Sequence, residues 1–242
     1  MVVWLRRRWF AVTFLVALAV ADVLAGWTSS AWQSATARWA STNVVNLEHH
    51  PIGALVLSAF VTGGHPAVWP LLASMGVLSA ERLLGPARTL LLCGSAQVIG
   101  TLVSEGIVAY RVQVGALPGS ALSQLDVGPS YVVVAALTLA VLAGSWLPRM
   151  IALAGLLTLA PYLFTGLSHF DVAAVGHLIS IALGMAAAAL YQQNRARRRL
   201  RTAADPLTSQ AGGATPDPAR AAHPSGRQAG RQDGRVADES AA

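Results

Sequence analysis

Six apolar stretches, each near the length of about 20 residues that crosses the hydrocarbon core of a bilayer, dominate this chain. They cover residues 9–27, 66–84, 89–110, 128–147, 151–167 and 172–191. Segments in lipid must satisfy their backbone polar groups internally, and apolar runs of this length do so as helices. The expected fold class is all-α, a polytopic membrane protein built as a six-transmembrane-helix bundle. Composition agrees: of 242 residues, 54% are hydrophobic and 12% charged, against roughly 25% charged in an average soluble domain. That deficit excludes an ordinary soluble enzyme.

The charges are placed as a topology signal. All seventeen basic residues are Arg, and the net charge is +6. Six crossings put both termini on one side, together with Arg6, Arg7, Arg8, Arg82, Arg88, Arg149, Arg195, Arg197, Arg198, Arg199 and Arg201; the other side holds Arg38 and Arg111. Such asymmetry marks cytoplasmic termini in a multi-pass protein of the cell membrane. The chain then divides into a cytoplasmic N-terminus (1–8), a membrane domain (9–191) and a basic cytoplasmic tail (192–242). The tail turns to Ala, Arg, Gly, Pro, Gln and Asp; it has too little apolar surface to offset its ordering entropy, so residues 202–242 read as disordered. Its Arg-rich start suits anionic lipid headgroups. A basic tail without a folded module or interleaved aromatics does not support nucleic-acid binding. Arg6 to Arg8, an apolar run and Ala19-Val20-Ala21 before Asp22 also fit a cleavable signal peptide. Apolar residues continue to Trp27, however, and a retained helix keeps the crossing number even.

Residues 28–65 form a long outer connection, in which the apolar run 52–61 is too short to span and reads as interfacial or re-entrant. Cys93 is the sole cysteine, so neither an internal disulfide nor a Cys-based zinc site forms. His49 and His50 are adjacent loop residues without a ligand cluster around them. No cofactor and no metal are expected.

Polar groups within an apolar bundle are functional candidates, here Asp22, His65, Glu105, Ser130 and His177. Asp22 and Glu105 lie near outer helix ends, where snorkelling or a structural hydrogen bond accounts for them. Ser130 opens the fourth apolar segment in Asp126-Val127-Gly128-Pro129-Ser130-Tyr131. A serine there is ordinarily a cap, yet free N–H groups at a helix start also suit a developing oxyanion. His177 sits about 7–9 Å along the sixth helix at 1.5 Å per residue. It lies at the edge of a small-residue row, Gly176, Ser180, Gly184, Ala188, that admits a close partner helix. Taken alone, His177 is equally a packing group, a proton carrier or a ligand.

These residues resemble the rhomboid family of intramembrane serine proteases. Gly128-Pro129-Ser130 matches the start of its Gly-x-Ser-Gly motif; His177, Ser180 and Gly184 follow its His-x-x-Gly-x-x-x-Gly motif with one small-residue exchange. His65 with Trp69 occupies the His-x-x-x-Asn position, and Glu81 stands at the family-like distance downstream. The resemblance implies a six-helix rhomboid-like core in which Ser130 is the nucleophile and His177 the general base and acid. It places His65, Gly128 and the Ser130 N–H at the oxyanion and implies transmembrane segments of other proteins as substrates. Three positions depart from the pattern: Trp69 replaces an oxyanion-binding Asn, Tyr131 the second glycine, and Val134 a Tyr that packs under the histidine. Those departures motivate the alternative, an inactive rhomboid-like protein that binds transmembrane segments. A proton-coupled carrier using Asp22, Glu105 and His177 is a third class, disfavoured by the absence of an internal repeat.

Overall fold

The computed structural model describes residues 7–63 and 67–212, and the described residues up to Arg197 form one compact unit. Its helices are α1 (Trp9–Gly26), α2 (Ser30–Ala40), α3 (Val44–His49), α4 (Pro51–Leu57), α5 (Val68–Leu84), α6 (Pro86–Gln113), α7 (Ser130–Ala143), α8 (Trp146–Leu163) and α9 (Val172–Gly212). The six apolar stretches become α1, α5, α6, α7, α8 and α9. Four of these, α1, α6, α8 and the Val172–Thr202 part of α9, are long and apolar enough to cross a membrane.

Two boundaries differ from expectation. Pro148 reads as the break between the fourth and fifth segments, but the chain breaks earlier, where Gly144 and Ser145 turn extended. Pro148 instead occupies the first turn of α8, where its missing N–H costs nothing. The last helix continues past residue 191 through the arginine run to Gly212; residues 213–242 of the expected disordered tail lie outside the described residues.

α7 is the centre of the bundle. Its residues Tyr131 to Ala140 are buried without interruption, as an all-round apolar helix must be. With 14 residues it measures about 21 Å, short of the roughly 30 Å hydrocarbon core, so at least one of its ends is recessed.

Glycines from four neighbours bring those helices onto it. A β-carbon on Gly76 of α5 would meet Leu137 N at 3.1 Å, one on Gly100 of α6 the Tyr131 ring at 3.3 Å, and one on Gly155 of α8 Leu137 at 3.5 Å. On α9, a β-carbon on Gly184 would sit 2.6 Å from Ala135 O, and one on Gly176 would overlap the Tyr131 ring. The small-residue row of the last helix thus faces the serine-bearing helix, the close packing that small residues permit.

Glu81 closes the other end of the bundle. The N–H of Phe10 donates to its Oε1 at 3.1 Å, and the N–H of Ala11 to Oε1 at 3.4 Å and Oε2 at 3.3 Å. A carboxylate from α5 therefore caps α1, which has no side-chain cap of its own, and meets the positive end of its dipole. The connection between α1 and α5 folds into α2, α3, α4 and a 3₁₀ turn, Ser58–Phe60, with Ile52 and Val56 exposed and Ser58 buried.

Candidate active site

Ser130 is the first residue of α7 and is half-buried. Its Oγ makes no hydrogen bond among the described residues. Pro129 precedes it and offers no side-chain cap, and the Val133 N–H is the first to be engaged, by Pro129 O at 2.9 Å. Among the described residues, the N–H groups of Ser130, Tyr131 and Val132 are therefore free donors at the helix start. Gly128 makes the turn into it with φ +136°, a conformation reserved for glycine. Its own N–H is already occupied, donating to Ser58 O at 2.8 Å, so the oxyanion donor expected of Gly128 is not free here. Gln97 Nε2 donates to Ser58 Oγ at 3.0 Å, which holds the 3₁₀ turn Ser58–Phe60 against the same point.

His177 lies on α9, 5% exposed. Its Nδ1 stands 3.3 Å from Leu163 O. A carbonyl only accepts, so this contact puts the proton on Nδ1 and leaves Nε2 with a lone pair. That Nε2 is buried and without a hydrogen-bond partner among the described residues, Ser130 Oγ included. The expected nucleophile and base thus stand on two directly packed helices but are not hydrogen-bonded to each other. His65 lies outside the described residues. Trp69 is half-buried against the apolar core, Val134 is fully buried in it, and Ser180 Oγ donates to Gly176 O at 2.9 Å.

Tyr131 fills the space between the three helices. Its ring covers Gly100 and Gly176 and meets the His177 ring edge-on, with centroids 5.4 Å apart. Its hydroxyl donates to Asp126 Oδ2 at 3.1 Å and lies 3.4 Å from Val172 O. Thr42 Oγ1 donates to the same carboxylate oxygen at 3.0 Å, and the Thr42 N–H donates to Asp126 O at 2.9 Å. Burial pushes the Asp126 carboxyl up; the two hydrogen bonds oppose that shift, and nearby Asp171 adds to it. Asp126 did not stand out in the sequence, although it opens the very motif that contains Ser130. Its partner Thr42 is distant in the chain, so no local signal pairs them.

The remaining buried acids behave differently from one another. Asp22 Oδ1 accepts a hydrogen bond from Thr62 Oγ1, while its Oδ2 is buried without a partner among the described residues. Glu105 is 2% exposed, and neither of its carboxylate oxygens has a partner among the described residues.

A family model described as rhomboid-like protein matches residues 4–197. The chain belongs to the rhomboid-like protein family. The match covers α1 to α8 and α9 as far as Arg197, and ends at the edge of the compact unit. No curated protein and no solved structure matches the chain. This rhomboid-like protein is therefore an all-α membrane protein, and its chemistry must be argued from its own residues.

Proposed function

We propose that this rhomboid-like protein is an intramembrane serine protease of the cell membrane, with both termini cytoplasmic, that cleaves transmembrane segments of other proteins. The observation that carries the reading is the state of His177. Its Nδ1 proton is held by Leu163 O and its Nε2 lone pair is unclaimed, on the helix packed against the one that Ser130 begins. A general base needs that arrangement.

In the proposed reaction Ser130 Oγ attacks the scissile carbonyl carbon and its proton passes to His177 Nε2. The tetrahedral oxyanion is met by the free N–H groups at the start of α7, with His65 as a second donor. One such donor is worth about 2.7–4 kcal/mol. The C–N bond then breaks, Nε2 returns the proton to the leaving amine, and water hydrolyses the acyl-enzyme by the same steps. In this reading it is the Ser130 end of the short α7 that is recessed, which keeps the chemistry below the headgroups, where a transmembrane substrate presents its bond.

A second reading rests on Tyr131. Its ring lies on Gly176 beside His177, and no Ser130–His177 hydrogen bond is made. This favours a rhomboid-like protein that binds transmembrane segments without cutting them. Reconstitution with a single-span substrate separates the two. Cleavage by the wild type that is abolished in Ser130→Ala supports the protease. Substrate capture without products, unchanged in Ser130→Ala, supports the binding protein.

A further inference from the structure

At the arginine-bearing end of the bundle, α5 and α8 enclose a groove of about 220 Å³ that the chemistry above does not use. Met75 and Leu78 of α5 form one wall, Leu147 and Ile151 of α8 the other, with Ser79 and Arg82 also lining it. Trp146, 74% exposed, opens α8 beside it; tryptophan favours the headgroup level of a bilayer.

A second guanidinium is held next to the groove. Arg8 Nη1 donates to the carbonyl of the groove-lining Leu78 at 2.9 Å, and Arg8 feels both the positive charge of Arg82 and the negative charge of Glu81. Two guanidiniums thus share one carboxylate, which leaves the cluster with a net positive charge. Glu81, the carboxylate of that turn, has both oxygens turned onto the amides of Phe10 and Ala11, so it does not bridge them. A cavity with aliphatic walls and two guanidiniums at its end complements an anion that carries a hydrocarbon chain. Basic pockets between membrane helices bind lipid headgroups on this principle.

We infer that the α5–α8 groove is a binding site for an anionic phospholipid, its phosphate between Arg8 and Arg82 and the start of one acyl chain along Met75, Leu78, Leu147 and Ile151. Aliphatic walls select a lipid over a free phosphate, and the net positive charge of Arg8, Arg82 and Glu81 selects an anionic over a zwitterionic headgroup. The site is distinct from the basic tail, which would attract the same lipids without a groove.

Native mass spectrometry of the full chain in detergent tests this, with dioleoylphosphatidylglycerol and dioleoylphosphatidylcholine as probes. The wild type should retain the anionic lipid more strongly, and Arg82→Gln should reduce that preference about fivefold, the effect of one basic group at an anionic surface. Ser79→Leu, which fills the groove and keeps both charges, should weaken retention as well; thermal midpoints establish that both variants are folded. Equal retention of the two lipids by the wild type would overturn the inference. So would an unchanged preference in Arg82→Gln, full retention by Ser79→Leu, or displacement of the lipid by glycerol 3-phosphate at equal concentration. Loss of the preference only when Arg195, Arg197, Arg198 and Arg199 are replaced would assign it to the tail and also contradict the site.

Discussion

Tyr131 is the residue on which the two readings of this protein divide. Its ring occupies the volume that glycines at positions 100 and 176 leave open, and its hydroxyl ties the helix start to Asp126. Tyr131→Phe keeps the ring and removes one hydrogen bond, so it should destabilise the protein by about 0.5–1.5 kcal/mol and leave the rate of Ser130 labelling nearly unchanged. Tyr131→Gly removes the ring. If the ring holds Ser130 and His177 apart, labelling should rise while the thermal midpoint falls; a variant that is less stable and no more reactive would show that the ring does not restrain the pair.

Asp126 supplies a pH signature at the same scale. Burial raises its carboxyl, so the folded state holds the proton to higher pH than the unfolded chain, where the value is about 3.9. Between those two values the folded state binds more protons than the unfolded one, and stability therefore falls as pH rises through the window. Thermal unfolding in detergent from pH 4 upward should show that decline, and Asp126→Asn should remove this part of it. A variant whose midpoint keeps the wild-type slope would place the titration elsewhere.

At the scale of the element, α7 is positioned by the glycines of its neighbours. Gly184 brings α9 within 2.6 Å of Ala135 O, measured from the site of a β-carbon, so Gly184→Val must displace backbone. It should cost about 1–3 kcal/mol or more by overpacking, whereas Gly94→Ala on α6, where a β-carbon meets nothing within 4 Å, should be tolerated. Chemical denaturation of both variants in mixed micelles checks the contrast. Glu81 acts between elements in the same way. Glu81→Ala leaves the first amides of α1 buried without an acceptor and should cost about 1–3 kcal/mol, read as a lowered thermal midpoint with α1 becoming accessible to protease.

At the scale of the whole molecule, the helix count was legible because lipid demands long apolar runs, and each of the six became a helix. The small-residue row at Gly176, Ser180 and Gly184 also identified the face of the last helix that receives a partner. Which helix docks there is a tertiary fact, as are the Glu81 cap on α1 and the arrival of Thr42 at Asp126 and Tyr131 from a distant part of the chain. The break at Gly144 was hidden because Pro148, a stronger punctuator, stands four residues later yet fits the first turn of α8. Of the site, Ser130 and His177 were legible as residue types at helix ends. The occupied N–H of Gly128 and the ring between the helices required the packing.

The proposed protease requires Ser130 to be a nucleophile activated by His177. Reaction of the purified, detergent-solubilised protein with a fluorophosphonate, followed by peptide mass spectrometry, tests this. A single covalent adduct on Ser130 is expected, absent from Ser130→Ala and strongly reduced in His177→Ala with both variants folded. A wild-type protein that remains unlabelled at Ser130, or labelling that persists unchanged in His177→Ala, would contradict it.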